Sequence, residues 1–385
     1  MYNILTLNKI SASGLAHFPA GQFVCSDSAE QPDAVIVRST SMHETEFASN
    51  LLAIARAGAG VNNIPVDRCT ENGICVFNTP GANANAVKEL VLCALFLASR
   101  KIAAGAVWCE GLKGSGAEVG KKVEKGKSSF AGPEILGKTL GVIALGAIGI
   151  LVANGAKALG MRVIGYDPFL SDLTRERLSE GIETTDELDR IFAASDYITL
   201  HAPLNDATRG VICKENLAKA KDGVRVLNFA RGELVKNEDI IEALESGKAA
   251  AYVTDFPTDE QLGVPGVTAI PHLGASTPEA EENCAVMAVE QLTDYLLNGN
   301  VKNSVNLPAL SLPRDGKVRL TAVTRGDIAD AFRGRLQEAG VTVKAFAAGE
   351  KKGAGYLIAD TDDEITDETL EALKTVDGVT ALRIL

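Results

Sequence analysis

The chain has 385 residues, of which 46% are hydrophobic and 23% are charged, so it is long enough for two or three globular domains. Its net charge of −12 argues against nonspecific binding to nucleic acid or to an acidic membrane surface. The seven cysteines are scattered without a C-x-x-C pair, and the start MYNILTLNKIS has no secretory signal, so we expect a reduced, cytoplasmic protein without a metal site.

Residues 1–99 alternate short apolar runs with loops and helices, which predicts a parallel α/β sheet. The predicted elements are strands at 2–7, 34–37, 51–54 and 74–77 and a helix at 86–99. Arg38 and Arg56 stand just past two of these runs, where parallel sheets place groups that bind ligands. On the residues alone, a surface role for each arginine is an equally good interpretation.

Residues 109–131 are rich in Gly, Lys and Ser and poor in apolar residues, and we predict a flexible or extended loop there. Lysines at 121, 122, 125 and 127 make this segment locally basic in an acidic chain. Most such runs are solvated surface, and contact with a phosphate is the alternative interpretation.

The stretch from Gly137 to Asp167 predicts a buried strand, a glycine turn, a helix and a second strand that ends in an acid. Gly146 and Gly149 lie in the turn, and Asp167 follows Gly146 by 21 positions. Such a turn brings backbone and helix N–H groups close to a pyrophosphate. The acid accepts hydrogen bonds from a ribose diol and repels a 2′-phosphate. We therefore predict that the chain binds NAD rather than NADP.

Two features of this stretch complicate the prediction. Ala144 takes the place of the first glycine of G-x-G-x-x-G, so the turn has to accommodate a methyl group. The 18 residues between Lys138 and Lys157 carry no charge, and since about 17 apolar residues can cross a bilayer, a membrane span is the alternative. The glycines within this stretch favour the strand, turn and helix.

Polar residues follow the next predicted strands, at 197–200, 225–229, 249–254 and 267–270. A histidine paired with a carboxylate moves protons near neutral pH, and an arginine binds a carboxylate through two parallel N–H groups. Arg231, His272 and an acid at either Asp259 or Glu260 therefore fit a site for hydride transfer with a nicotinamide cofactor. A purely structural role is the alternative for His272 taken by itself.

A long helix is predicted at 276–297, opened by Thr277 and Pro278, and a linker at 306–316 follows it. Residues 317–385 read as βαββαβ, which is the order of a ferredoxin-like small domain. This part contains neither Cys nor His, so we do not expect catalysis there.

Eight motifs are distributed along the chain, and through them the sequence resembles the D-2-hydroxyacid dehydrogenase family. They are VIVRS (35–39), ARAGAGVNNI (55–64), NTPGANANAVKEL (78–90), GPEILGKTLGVIALGAIG (132–149), GYDP (165–168), ITLHAPLNDATRGVI (198–212), NFARGELV (228–235) and PHLGAST (271–277). The resemblance implies NAD as the cofactor, a small anionic 2-hydroxy acid as the substrate, and a homodimer or higher homo-oligomer.

The resemblance also implies roles for single residues. His272 would be the general base and Glu260 its partner, while Arg231 would bind the substrate carboxylate. Arg38 and Arg56 would face a phosphorylated end of the substrate. The implied contacts with NAD are Thr79, Gly146, Ala147, Ile148, Gly149, Asp167, Ala230, Asp255 and Gly274. Matching Phe256-Pro257-Thr258 to the family selects Asp259 instead of Glu260 as the acid.

The domain map implied by the resemblance has three parts and a linker. A flavodoxin-like substrate domain (1–99 and 275–305) contains an inserted Rossmann-type doubly wound NAD domain (100–274), and a linker (306–316) leads to an ACT-like domain (317–385). The segment VTRGDIADAF (323–332) lacks the Asn-x-Pro-Gly turn of serine-binding ACT domains. The alternatives are a dehydrogenase of an unphosphorylated 2-hydroxy acid and a non-catalytic NAD-sensing protein.

Overall fold

A computed structural model describes all 385 residues, whose backbone forms sheets of five, seven and four strands. The chain divides into two compact units. Residues 1–83 and 278–385 form the first unit, and residues 84–277 form the second. The first unit contains the five-stranded and four-stranded sheets, and the second contains the seven-stranded sheet. The domain map drawn from the sequence stays a prediction.

Strands and helices alternate along most of the chain, and a βαββαβ segment completes it. The strands are β1 (Tyr2–Leu7), β2 (Phe23–Ser26), β3 (Ala34–Val37), β4 (Ala53–Arg56), β5 (Cys75–Phe77), β6 (Thr139–Ile143), β7 (Arg162–Tyr166), β8 (Glu183–Thr185), β9 (Tyr197–Leu200), β10 (Val224–Asn228), β11 (Ala249–Thr254), β12 (Val267–Ala269), β13 (Val318–Arg325), β14 (Val343–Lys351), β15 (Ala354–Thr361) and β16 (Val379–Ile384). The α-helices are α1 (Ala12–Leu15), α2 (Val66–Glu71), α3 (Ala84–Ser99), α4 (Ile102–Glu110), α5 (Val119–Gly126), α6 (Ala147–Ala158), α7 (Asp172–Arg175), α8 (Leu188–Ala194), α9 (Lys214–Ala218), α10 (Asn237–Glu245), α11 (Pro278–Asn298), α12 (Ala329–Glu338) and α13 (Asp367–Lys374).

The five-stranded sheet has the order β2-β1-β3-β4-β5, and every neighbouring pair is parallel. This is the flavodoxin-like order expected from the sequence. Strands β3 and β4 are buried along almost their whole length, because both faces of a parallel sheet are covered. The strand predicted at 51–54 begins two residues too early, because Leu51 still belongs to a turn in which its N–H donates to the carbonyl of Ala48.

The seven-stranded sheet has the order β12-β11-β10-β9-β6-β7-β8 and is parallel throughout. Strand β6 pairs with β7 on one side and with β9 on the other, so the strand order changes direction there. The predicted Rossmann-type doubly wound sheet is confirmed. Ligands of such sheets bind beyond the carboxyl ends of the strands at this switch point.

The four-stranded sheet is antiparallel, has the order β14-β15-β13-β16, and confirms the predicted βαββαβ domain. Alternate residues of each strand point to opposite faces. Leu320 and Ala322 pack with the helix residues Phe332 and Leu336 on one face. Residues of the other face, such as Val323, share a core with the long helix α11.

Two arginine side chains of this sheet donate hydrogen bonds to carbonyls in the last turn of α11. Arg319 Nη1 donates to the Asn298 carbonyl (2.8 Å), and Arg383 Nη2 donates to the Tyr295 carbonyl (2.9 Å). Both cations lie at the negative end of the helix dipole, where positive charge is favoured. The small sheet is therefore attached to the helix by directed bonds as well as by apolar packing.

Arg319 is also one half of a fully buried ion pair. Its Nε and Nη2 atoms donate to Oδ1 and Oδ2 of Asp360 at 2.6 and 2.7 Å, and the two side chains are 1% and 0% exposed. Burial by itself raises the pKa of Asp360, but the hydrogen bonds from Arg319 and from the Asp315 N–H hold that pKa below its ordinary value. The pair is thus charged, bidentate and shielded from water.

The prediction of a flexible or extended loop at 109–131 is wrong. The segment contains the helix α5, two 3-10 turns at Gly116–Glu118 and Lys127–Phe130, and the end of α4. The rings of Trp108 and Phe130 lie 5.3 Å apart and hold the segment together. Lysine and glutamate are good helix formers, and spaced three apart they also form ion pairs along this segment, which the glycine content obscured.

No single helix is both long and apolar enough to cross a membrane. Helices α3 and α4 reach the required length and composition only together, as a pair bent by 73°. The uncharged stretch between Lys138 and Lys157 is the strand β6, a turn and most of α6, so the membrane interpretation of that stretch is wrong.

The buried ion pair predicts a large loss of stability when its acid is neutralised. In Asp360→Asn the Arg319 charge stays buried without a counter-charge, and we expect the free energy of unfolding to fall by about 3–5 kcal/mol in urea titrations. The control is Glu371→Gln in α13, which removes an exposed ion pair with Lys374 and should change stability by less than about 1 kcal/mol. Equal effects of the two substitutions would contradict this account.

Candidate active site

The predicted glycine turn connects β6 to α6 in the second unit. All five residues of β6 are buried, and Gly146 is the N-cap of α6. A Cβ atom added at Gly149 would lie 2.1 Å from the carbonyl oxygen of Ala144, whereas one added at Gly146 would meet nothing within 4 Å. Gly149 therefore allows the helix to approach the strand, and Gly146 leaves the backbone of the turn open. This is the arrangement that a pyrophosphate needs.

Ala144, at the position of the missing first glycine, has a φ angle of +74°. This left-handed conformation is unfavourable for a residue with a Cβ atom, by roughly 1–2 kcal/mol. The backbone of the turn therefore has a conformation typical of glycine, and with alanine at 144 this conformation is locally strained.

Asp167 lies directly after β7, beside this turn. Its Oδ2 atom accepts a hydrogen bond from the Leu145 N–H (3.0 Å), and its Oδ1 atom accepts one from the Phe169 N–H (2.9 Å). Each carboxylate oxygen has a second lone pair, so the group can still accept hydrogen bonds from a ribose. Ala147 and Ile148 lie in the first turn of α6, where backbone N–H groups lack helical partners and can bind an anion.

Three neighbouring strands of the same sheet carry the remaining predicted residues of this unit. Ala230 and Arg231 follow β10, Asp255 follows β11, and His272 and Gly274 follow β12. The carboxyl ends of parallel strands lie at one edge of a sheet, so these residues share that edge with the glycine turn.

Asp255 is almost completely buried and is only partly satisfied. Its Oδ2 atom accepts a hydrogen bond from the Gly274 N–H (3.2 Å), while Oδ1 is buried and has no hydrogen-bond partner. Burial raises the pKa of Asp255, and the nearby charge of His272 opposes that rise. A buried acceptor without a partner suits a bound group that carries N–H donors, so the site fits a nicotinamide cofactor on this point.

His272 is exposed, and its ring packs against Phe256 with the ring centres 4.6 Å apart. No hydrogen bond or ion pair joins His272 to Glu260 or Asp259, so the structure does not bring the predicted dyad into contact. Glu260 is exposed on the 3-10 turn Asp259–Gln261, where a hydrogen bond with the Thr258 side chain lowers the pKa of Glu260. Which of the two acids partners the histidine stays a prediction.

Arg231 is half-buried, and a residue that the sequence analysis missed positions it. The amide of Asn228, the last residue of β10, donates to the Arg231 carbonyl (2.8 Å) and accepts from the Ala230 N–H (3.2 Å). Nη1 of Arg231 donates to the carbonyl of Ala230. The available signal in the sequence was an asparagine at the end of an apolar strand. Asn228 is completely buried, and a buried amide needs hydrogen-bond partners.

Arg38 and Arg56 lie together in the first unit, at the ends of the paired strands β3 and β4. Nε of Arg56 donates to the carbonyl of Arg38 (3.1 Å), and Nη1 of Arg38 contacts Oε1 of Glu281 at 2.5 Å. The guanidinium of Arg56 packs over Gly58, where an added Cβ would lie 1.7 Å from Nη1. The sequence analysis missed Glu281, because an ion pair across 243 positions leaves no local pattern.

Thr79, the remaining predicted NAD contact, belongs to the first unit and is completely buried. Its N–H donates to the Gly58 carbonyl at 3.0 Å, and its hydroxyl lies beside the buried Cys284 thiol. The residue therefore supports the backbone near Arg56, and its contact with the cofactor stays a prediction.

Comparison with known proteins gives matches over both units. Residues 95–274 match the model of the "D-isomer specific 2-hydroxyacid dehydrogenase, NAD binding domain". Among solved structures, the chain is similar to the NAD⁺-bound 3-phosphoglycerate dehydrogenase of Entamoeba histolytica, with 27% identity, a TM-score of 0.60, and coverage of 80% of this chain and 99% of that one.

Curated relatives carry two different descriptions. The chain is 33% identical over 337 residues to a D-3-phosphoglycerate dehydrogenase of Bacillus subtilis, covering 83% of this chain and 62% of that protein. It is 41% identical over 272 residues to a hydroxypyruvate reductase of Thermotoga maritima, covering 68% of this chain and 83% of that protein. The chain spans about half to two thirds of the length of the D-3-phosphoglycerate dehydrogenases that it matches.

The strain at Ala144 predicts that a glycine there is stabilising. Ala144→Gly relieves the left-handed conformation and loses part of that gain to the greater freedom of glycine in the unfolded chain, so we expect the free energy of unfolding to rise by about 0.5–1 kcal/mol. The measurement is urea unfolding followed by circular dichroism. Ala158→Gly, at the exposed end of α6, is the control and should lower stability by up to about 1 kcal/mol. A loss of stability in both variants would contradict the assignment of strain.

Proposed function

The chain belongs to the D-isomer specific 2-hydroxyacid dehydrogenase family, and we propose that it catalyses the NAD-dependent oxidation of 3-phospho-D-glycerate to 3-phosphooxypyruvate, the first step of serine biosynthesis. The observation that carries the choice of substrate is the pair Arg38 and Arg56, which lie at the ends of neighbouring strands and are joined by a hydrogen bond from Nε of Arg56 to the backbone carbonyl of Arg38. Two guanidinium groups at one edge of a sheet suit a phosphate monoester dianion.

The remaining roles follow from the side chains at the carboxyl edge of the seven-stranded sheet. Arg231 binds the substrate carboxylate, for which a planar guanidinium offers two parallel N–H groups. His272 takes the proton of the C2 hydroxyl at a ring nitrogen, and it is exposed and free of other hydrogen bonds in this structure. The bound nicotinamide would supply the acceptor for the hydride of C2. Asp167 binds the ribose of the cofactor and disfavours NADP.

We propose that the His272 dyad forms when substrate and cofactor bind. Catalytic hydrogen bonds are often long or absent without ligands and tighten in the reacting complex. Asp259 and Glu260, both exposed, lie on one 3-10 turn, three and four residues after Phe256, whose ring touches His272. Glu260 is our choice because its spacing from Asp255 matches the family.

A second candidate is a dehydrogenase that acts on an unphosphorylated 2-hydroxy acid. The 41% identity with a hydroxypyruvate reductase supports it, and so does the ion pair with Glu281, which offsets part of the positive charge of Arg38. Two arginines near one another favour the phosphorylated substrate. For either substrate we expect a homodimer or higher homo-oligomer, as in the sequence analysis.

A panel of 2-hydroxy acids distinguishes the two candidates. We expect kcat/KM to be highest for 3-phospho-D-glycerate with NAD, lower for D-glycerate, and much lower with NADP, because Asp167 repels the 2′-phosphate. The assay follows the formation of reduced cofactor by absorbance. No turnover of the phosphorylated acid, together with fast reduction of hydroxypyruvate, would establish the second candidate instead. Cofactor binding without turnover of any acid would favour an NAD-sensing protein.

The role of His272 predicts a loss of turnover with little loss of binding. His272→Asn removes the general base, and we expect kcat to fall by roughly 10² or more, while the Kd for NAD changes little. His17→Asn, an exposed histidine without a proposed role, is the control. Normal turnover of His272→Asn would remove the proposed base.

The same assay identifies the acid of the dyad. Glu260→Gln and Asp259→Asn each neutralise one carboxylate of the 3-10 turn, and only the partner of His272 should lower kcat strongly when changed. We expect that residue to be Glu260.

A further inference from the structure

An acidic side chain already contacts one of the two arginines that we propose for the substrate phosphate. Glu281 lies in the first turn of α11, and its Oε1 atom is 2.5 Å from Nη1 of Arg38. The Arg38 side chain is 29% exposed and the Glu281 side chain 39% exposed, so water and small anions can reach the pair. No other hydrogen bond of the Arg38 guanidinium is present, which leaves its remaining N–H groups able to donate.

Glu281 is held in this place by two favourable interactions that do not involve a substrate. Helix α11 has 21 residues, and the positive end of its dipole favours acidic side chains in the first turn. Arg38, at the end of β3 in the same unit, adds a direct ion pair. The Glu281 carboxylate is therefore placed beside Arg38 by contacts within the protein.

The buried thiol of Cys284, one helical turn further along α11, experiences the same group of charges. Burial raises the pKa of Cys284, contact with Thr79 and the charges of Arg56 and Arg38 oppose that rise, and Glu281 adds to it. Two cations and one anion thus act on a single point in the first unit. The Glu281 carboxylate thus lowers the positive charge that a phosphate at Arg38 would meet.

We propose that Glu281 determines how strongly the site favours a phosphorylated substrate over its unphosphorylated counterpart, by competing with the distal phosphate for Arg38. The inference rests on the proposed function, because it takes Arg38 as a ligand of that phosphate. A phosphate on the free N–H groups of Arg38 lies about 6 Å from the Glu281 carboxylate, and repulsion at that distance weakens binding by about threefold to tenfold. A neutral hydroxyl in the same place experiences no such repulsion.

The substitution Glu281→Gln tests the competition, because glutamine keeps an oxygen that accepts from Arg38 and loses the charge. We expect KM for 3-phospho-D-glycerate to fall by about threefold to tenfold at low ionic strength, with the effect on KM rather than on kcat. KM for D-glycerate should stay within twofold of wild type. At high salt the effect of Glu281→Gln on KM for 3-phospho-D-glycerate should become smaller, because the competing charges are partly exposed and salt screens them.

Glu282→Gln is the matched control. It makes the same change of net charge in the same helical turn, but Glu282 is exposed and forms no ion pair, so KM for both substrates should stay at the wild-type value. Thermal unfolding of both variants checks that neither substitution alters the fold.

A binding measurement separates this inference from the proposed function. The Kd of inorganic phosphate for the NAD-loaded protein, measured by titration calorimetry, needs no turnover, and Glu281→Gln should lower it by about threefold to tenfold. If wild type oxidises only unphosphorylated acids, the proposed function fails, while the phosphate Kd still tests Glu281. The role of Glu281 would be overturned if Glu281→Gln left the phosphate Kd and the ratio of the two KM values unchanged, or raised either of them. An equal change in Glu282→Gln would overturn it as well.

Discussion

The nucleotide-binding part of the chain depends on the close contact between the end of β6 and the start of α6. Gly149 packs so tightly on the carbonyl of Ala144 that any side chain at 149 would force the helix away from the sheet. The same contact positions the first turn of α6 and the Leu145 N–H, to which Asp167 is bonded. The groups proposed for the pyrophosphate and for the ribose are thus placed by one steric constraint, and the strained φ angle of Ala144 shows that the turn tolerates a cost to keep it.

The proposed catalytic groups of the second unit depend on a different constraint, the parallel pairing of β10, β11 and β12. Pairing in one direction brings three strand ends to one edge, which places Arg231, Asp255 and His272 on neighbouring strands. The Asn228 amide then holds the backbone carbonyl of Arg231, and the Gly274 N–H holds the carboxylate of Asp255. The acid proposed for the dyad lies instead on the 3-10 turn Asp259–Gln261, where the Glu260 side chain is exposed while the buried Gln261 ties the turn to Asn237.

The long helix α11 organises the first unit from both of its ends. Glu281 near its start contacts Arg38, and its final carbonyls accept hydrogen bonds from Arg319 and Arg383 of the small sheet. At 1.5 Å per residue the helix is about 30 Å long, so it connects the proposed phosphate-binding arginines with the small domain through continuous backbone. The small domain is consequently packed as part of this unit, with its inner sheet face in a shared core.

Local patterns in the sequence were sufficient for the order of elements, the two parallel sheets and the βαββαβ tail, because alternation of apolar runs, glycine turns and caps is a property of neighbouring residues. They also placed Arg38, Arg56, Asp167, Arg231 and His272 at strand ends. They failed at 109–131, where a contact between Trp108 and Phe130 and paired charges stabilise helices that composition alone does not indicate. Only the tertiary structure revealed the Glu281–Arg38 pair, the buried Arg319–Asp360 pair and the packing of the His272 ring on Phe256. Each of these depends on distances between side chains far apart in sequence or on separate loops, and such distances are set by packing rather than by local spacing.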